Sequence, residues 1–275
     1  MSRIDEKFKE LSLKNEKALI AYFMIGYPDK TTSMNAIKGL INGGADIIEI
    51  GFPFSDPLAD GPTIQNASTI SLKKGTNLNY FYKTVKEIRK QTEIPLVLMT
   101  YTNIIYNKGY STFFSKIKQA GIDGVILPDM SPEESKLYVD MANKKGLDCI
   151  FLISPNTSVN RVKKIVKISS GFLYLVAVFG TTGVQSKINR YTITALKKLK
   201  KLVNREIPIG IGFGISTPND VKKYIKTGAD AVIVGSAFLK IIDKTPKNKI
   251  QKEIAEFTRS LKKQTKLQKK QMVKY

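Results

Sequence analysis

The stretch Ile48–Gln65, IEIGFPFSDPLADGPTIQ, holds three carboxylates close together. Glu49 interrupts an apolar run, where a charge is costly to bury unless it is paired. Burial pushes such a carboxyl toward its neutral form, which makes it a proton donor near neutral pH. The competing reading is a structural glutamate bonded to a neighbouring backbone group or tyrosine. Asp60, set between Ala59 and the tripeptide GPT, is the second candidate for acid–base work, or else a lead into a helix. Asp56, in SDP, reads as a turn former or loop anchor, and Asp129, in LPDMSPEE, as a loop-ordering acid.

Absences narrow the chemistry. The chain has no histidine, which removes a His-ligated zinc and a histidine base. None of the apolar runs that read as strands contains a lysine, so a Schiff-base aldolase mechanism lacks its nucleophile. No serine or cysteine has the partners of a hydrolytic triad. The single Cys149, in LDCIFLI, excludes an internal disulfide framework and reads as an inert buried thiol. Proton transfer by carboxylates remains, with a Mg²⁺ site on Asp or Glu oxygens as the surviving metal alternative.

The elements that must position these acids follow from hydrophobic patterning. Eight short apolar runs begin at Ala18, Asp46, Pro95, Gly124, Cys149, Phe172, Ile207 and Ala231. Most are continuous rather than alternating, as parallel strands covered on the outside by helices would be. Amphipathic segments between them are expected to be helices over 31–43, 79–92, 110–120, 132–145, 159–169, 192–203 and 218–227. SPEE at Ser131 and TPND at Thr217 carry helix-start signals. GGAD, AGIDG and TGADA recur just before strands, each placing a glycine at the end of a helix. The pattern predicts a single-domain α/β fold, a closed (β/α)₈ TIM barrel over 1–263. An extra N-terminal helix should cap its floor, and a basic, flexible tail should follow over 264–275. An open doubly wound sheet is the alternative, but the turn after the first strand, GYPDKT, lacks the glycines that fold uses.

In such a barrel the active site lies at the C-terminal ends of the strands. Glu49, Asp56, Asp60, Tyr101, Asn103 and Asp129 fall there, with Tyr174 inside strand six. Glycine-rich turns follow strands six, seven and eight: GTTG, GFGIS and VGSA. The loops after strands seven and eight are a frequent phosphate cradle in this fold, and a helix opening at Ser236 would add its dipole. The chemistry expected from the residues is acid–base catalysis on a small phosphorylated substrate.

The formal charge of +22 raises nucleic acid as a ligand. Only six of the 45 basic residues are arginines, the lysines are dispersed, and no recognition motif is present, so none is expected. A nucleic-acid or membrane role for the basic C-terminal end stays open. No apolar run is long enough to span a membrane.

IEIGFPFSDPLADGP closely resembles the signature of the tryptophan synthase alpha subunit family. IGYPD, LMTYTN, LPDMSPEES, FGTTG, GFGIS and VGSA follow in family order, between about Leu19 and Ile242. The resemblance implies a lyase of tryptophan biosynthesis. Its reaction is the metal-free retro-aldol cleavage of indole-3-glycerol phosphate to indole and glyceraldehyde 3-phosphate. It implies Glu49 as the general acid toward the indole ring carbon and Asp60 as the partner of the indole N–H. Tyr174 and Thr182 would support them, Gly183, Gly214, Gly235 and Ser236 would hold phosphate, and Tyr22, Ile64 and Phe213 would line the indole pocket. It further implies a beta subunit as partner, two alpha with two beta chains, contacted through Pro53 and Asp56. No cofactor is expected on this chain, since pyridoxal phosphate belongs to that partner. The alternative is an allosteric binding subunit of the same complex with negligible catalysis of its own. Cytoplasm, or plastid stroma for an organelle-encoded chain, is the expected location. Ala21, Ala177 and Ile104 depart from residues common in the family, and none of these positions carries a proposed catalytic or phosphate-binding group.

Overall fold

The structure, a computed structural model, describes residues 1–177, 185–204 and 207–267, the side chains of 185–190 excepted. Eight parallel strands form its centre: β1 (Ala18–Met24), β2 (Ile47–Gly51), β3 (Leu96–Met99), β4 (Gly124–Ile126), β5 (Asp148–Ile150 and Leu152–Ile153), β6 (Leu173–Val176), β7 (Ile209–Gly212) and β8 (Ala231–Val234). β1 pairs with both β2 and β8, and the two halves of β5 pair with β4 and β6. Phe151, between those halves, accepts the backbone N–H of Tyr174 at 3.0 Å. The sheet therefore closes on itself, as expected for a TIM barrel. Its strands are almost wholly buried, which is why their sequences run apolar without alternation.

The helices are α1 (Arg3–Leu13), α2 (Lys30–Gly43), α3 (Pro62–Lys73), α4 (Leu78–Arg89), α5 (Thr102–Tyr106), α6 (Tyr110–Ala120), α7 (Lys136–Lys144), α8 (Val159–Ile168), α9 (Gln185–Val203), α10 (Pro218–Lys226), α11 (Ser236–Lys244) and α12 (Ile250–Lys262). α1 closes the barrel floor. Its Ile4 is fully buried, lying against Gly124 and Gly171 at the strand starts, and its Phe8 ring stands 6.1 Å from that of Phe172.

Besides α9, which begins at Gln185 rather than at 192, three local expectations differ from what is found. α3 has no counterpart in the apolar periodicity, because its buried positions are Ala67, Ser68 and Ser71. Hydroxyls replace apolar side chains there, and the Ser71 hydroxyl donates to the Ile25 carbonyl at 2.6 Å. α7 starts at Lys136 rather than at Pro132. Ser131 does accept the Glu134 N–H at 3.3 Å, but the Ser135 hydroxyl donates to the Pro132 carbonyl and closes the segment into a separate turn. The tail expected to be flexible from 264 is anchored further along. Thr265 is buried and accepts the Lys17 N–H, Leu267 donates to the Asn15 carbonyl, and Lys266 pairs with Glu16.

The recurring glycine–aspartate turns do more than end helices. Gly44, Gly121 and Gly228 adopt left-handed φ of 86°, 112° and 99°, a region that glycine enters freely. The aspartate that follows each turn reaches across to the preceding strand. Asp46 accepts the Leu19 N–H at 2.7 Å, Asp123 that of Leu96 at 2.9 Å, and Asp230 that of Ile209 at 3.2 Å. Each is neutralised by cations: Lys262 on Asp46, Arg3 and Arg89 on Asp123, Lys17 on Asp230. Register between neighbouring strands is thereby fixed at the floor, far from Glu49.

Replacing Asp123 by alanine strands the Leu96 N–H and leaves Arg89 half-buried without its carboxylate. Loss of one partner of a buried pair costs about 3–5 kcal/mol. Urea unfolding of Asp123→Ala should show a loss of that order, while Asp140→Ala, on an exposed helical pair with Lys136, should cost well under about 1 kcal/mol.

Candidate active site

Glu49 lies in β2 in register with Tyr22 of β1 and Val97 of β3, and is 1 % exposed. Neither carboxylate oxygen has a hydrogen-bond partner. Burial, reinforced by the charge of Asp60, raises its pKa to about 8. The reading of Glu49 as a structural residue bonded to backbone or tyrosine is thus not met: the carboxyl is unsatisfied, desolvated and predominantly protonated at neutral pH.

Asp60 reaches the same space from the loop between β2 and α3. Two turns, Leu58 N–H to Asp56 and Asp60 N–H to Pro57, fold the loop back. Gly61 and Pro62, at the first turn of α3, then start the helix directly behind the acid. The Tyr101 hydroxyl donates to Asp60 Oδ2 at 2.9 Å, while the buried Oδ1 has no partner. Burial lifts the Asp60 pKa to about 6, and the Tyr101 bond works against that rise. The two acids are held apart in protonation, one predominantly neutral and one predominantly ionised at pH 7, which is how environment divides an acid–base pair.

Two tyrosines wall the site, and glycines make room for them. A Cβ on Gly51 would lie 2.3 Å from the Tyr22 hydroxyl oxygen, and one on Gly212 would lie 2.1 Å from that of Tyr174. Tyr174 meets Phe213 edge-on at 6.1 Å. Phe213 has φ of 73° and Gly214 of 70°, so a non-glycine residue is held in a sparsely populated conformation at the mouth of the barrel. Gly51 and Gly212 lie in stretches the sequence singles out, but nothing local signals that they make room for tyrosines.

The cavity these residues enclose has a volume of about 180 Å³. Tyr22, Glu49, Asp60, Ile64, Tyr174, Phe213, Gly214, Gly235 and Ser236 all line it, and so does Lys240 of α11, which sequence reasoning had not singled out. Gly235 caps α11 without a side-chain hydrogen bond, so the N-terminal N–H groups of that helix are not capped by its side chain. Thr182 and Gly183 lie outside the described residues.

The expected partner surface is only partly exposed. Pro53 is buried, because it follows directly on the strand end and the chain turns outward only after Phe54. Asp56 is exposed, and beside it Leu58 is 91 % exposed, a large apolar side chain that was not anticipated. Asp129 orders a loop, accepting the backbone N–H and hydroxyl of Thr102. Cys149 is buried, with its thiol pushed up to about 12. A larger cavity of about 350 Å³ opens at the barrel floor, but its acids are paired, Asp230 with Lys17 and Glu16 with Lys262 and Lys266. Among the described residues no group of His, Cys, Asp and Glu could hold a metal ion, and no helix is long and apolar enough to cross a membrane.

The family model of the tryptophan synthase alpha chain matches residues 8–270. The chain belongs to the tryptophan synthase alpha chain family. The tryptophan synthase alpha chain of Methanosarcina acetivorans is 43% identical over 260 residues, 94% of this chain and 93% of that one. Among solved structures, the alpha subunit from Legionella pneumophila is 31% identical, with a TM-score of 0.88 over 96% of this chain and 98% of that one. The tryptophan synthase complex from Pyrococcus furiosus matches with a TM-score of 0.82 and 34% identity, over 90% of this chain and 98% of that one. The chain is a lyase of tryptophan biosynthesis, and its reaction is the retro-aldol cleavage of indole-3-glycerol phosphate.

The two shifted acids set a pH window. Glu49 must hold its proton to act as an acid, a condition lost as pH rises through about 8. Asp60 must be ionised to meet an N–H, a condition lost as pH falls through about 6. The dependence of kcat/KM on pH should be bell-shaped with its maximum between those values. A rate that stays flat from pH 5 to 9 would show that neither group titrates in the reaction.

Proposed function

We propose that Glu49 and Asp60 carry the cleavage and that the remaining cavity residues hold the substrate for them. Glu49 gives its proton to the indole ring carbon that bears the glycerol phosphate side chain. The positive charge that develops at the ring nitrogen is met by the Asp60 carboxylate, which accepts the indole N–H. The carbon–carbon bond then breaks as the adjacent hydroxyl loses its proton, forming the aldehyde and restoring neutral indole. Glu49, now a carboxylate, takes that proton and is regenerated, so no net proton is consumed. Tyr22, Ile64, Tyr174 and Phe213 flank the ring. Backbone N–H groups at Gly214, Gly235 and Ser236 receive the phosphate, an arrangement favoured by the α11 dipole, and Gly183 is proposed as a further donor. Thr182 is proposed to join Asp60 when its loop meets the one from Phe52 to Asp60.

The observation that supports this reading is the unpartnered pair: Glu49 with both oxygens unsatisfied and Asp60 with one, on the same cavity. An allosteric subunit without catalysis would have no use for a desolvated carboxyl held at such cost. Replacing Glu49 by glutamine should lower turnover ~10²–10⁴-fold with substrate affinity and fold largely kept. Asp60→Asn should also lose most activity. Near wild-type rates for Glu49→Gln would sink the assignment.

The partner we propose is a beta subunit, in an assembly of two alpha and two beta chains; the similarity to a chain of the tryptophan synthase complex from Pyrococcus furiosus supports a partner. Its contact would run over the exposed part of the β2–α3 loop, Asp56 and Leu58, and reach Pro53 only by moving that loop. Fixing a surface loop costs conformational entropy, and a partner that pre-orders it raises the population of the competent state. Lyase turnover should therefore rise as beta subunit is added. A flat response while sedimentation shows the complex to be fully formed would refute loop ordering and leave the Glu49–Asp60 chemistry intact.

A further inference from the structure

Tyr101 stands where β3 gives way to α5, in extended conformation at the cap of that helix. Its side chain is buried, and its hydroxyl has two partners on the β2–α3 loop. It donates to Asp60 Oδ2 at 2.9 Å and accepts the Ala59 N–H at 3.1 Å. A phenol has one proton to give and lone pairs to receive, so both bonds form together. Two consecutive loop residues are thereby held from the end of a rigid strand. The consequence for Asp60 is orientation: with Oδ2 committed to Tyr101, it is Oδ1 that remains buried and free of partners.

The ring of Tyr101 is occupied as well. It stacks on Phe54 at 5.1 Å with 24° between the planes. Phe54 is itself tied down, its N–H donating to the Ser68 hydroxyl at 2.8 Å and its carbonyl accepting from the same hydroxyl at 2.7 Å. The first and last parts of the loop, Phe54 and Asp60, thus rest on one side chain, and the exposed residues Ser55, Asp56 and Leu58 lie between them.

We propose that Tyr101 is a positioning residue for the cleavage: its hydroxyl aims the Asp60 carboxylate, and its ring transmits to Asp60 any displacement of the outer loop. This rests on the reading of Asp60 given above. Asp60 faces Glu49 from β2, Tyr22 from β1, Tyr174 from β6 and Lys240 from α11 across the same cavity. Tyr101 is the side chain that bonds it. Without that donor the Asp60 pKa rises further, because the bond holds it down against burial. The ionised form is then lost at a higher pH as the solution is acidified.

The test is Tyr101→Phe, which keeps the ring and removes the hydroxyl, assayed as the chain alone and with beta subunit. Turnover should fall about tenfold, the effect of losing a hydrogen bond to a charged group, with KM little changed. The acid limb of the pH profile should move to higher pH. Phe54→Leu keeps the hydroxyl but loosens the stack, and should move both quantities the same way by less. The two substitutions together should cost less than the product of their separate effects. Tyr101→Phe with wild-type turnover and an unmoved acid limb, while Asp60→Asn is inactive, would overturn the inference alone. A loss confined to KM, or fully multiplicative losses in the double variant, would overturn it too. An active Asp60→Asn would bring down the Asp60 reading and this inference with it. If Tyr101→Phe fails to fold, the acid limb of Phe54→Leu decides: unmoved, it refutes the proposal.

Discussion

The desolvated carboxyl of Glu49 is the constraint around which the barrel mouth is organised. A carboxyl without a partner is tolerated inside a protein only in its neutral form. Its native pKa is raised by burial and by the Asp60 charge. The stability it withholds therefore grows as pH rises above the ordinary carboxylate range, and the fold must offset that elsewhere. Strand β2 offers no flexibility to relieve it, since Glu49 is hydrogen-bonded through its backbone between β1 and β3. Rigidity keeps this carboxyl dry and fixed in direction, which suits the role of general acid proposed for it.

The compensation lies at the other end of the same strands. Asp46, Asp123 and Asp230 accept backbone N–H groups across neighbouring strands and are neutralised by Lys262, Arg89 and Lys17. These three acids are partnered at the floor, where α1 packs Ile4 and Phe8, although Asp148 Oδ2 is left without a partner there. Polar groups at the mouth are left unsatisfied, and Phe213 sits there in left-handed conformation.

The loop that carries Asp60 follows a different logic from the strand that carries Glu49. Asp60 stands on a segment that leaves the sheet at Pro53, returns at Gly61, and is bonded in between by Tyr101. An exposed Leu58 beside Asp56 gives such a loop an apolar handle. The proposed chemistry and the proposed partner surface would thus be two faces of one short segment.

Much of this was legible before any coordinates. Continuous apolar runs fixed the strand count, because strands covered on both faces have no polar side to show. Glu49 stood out because an acid in such a run contradicts its surroundings, and the glycine-rich turns after β7 and β8 pointed to residues that do line the cavity. What the sequence hid were relations between distant segments. α3 escaped notice since its buried face is one alanine and two serines, whose hydroxyls find their partners in Phe54, Ile25 and Thr76 outside the helix. The space that Gly51 and Gly212 clear for the hydroxyls of Tyr22 and Tyr174 exists only once the barrel has closed. Tyr101 looked like any polar residue after a strand. Its bond to Asp60 joins positions 41 residues apart, and sequence carries no local signal for a contact that only the curvature of the sheet creates.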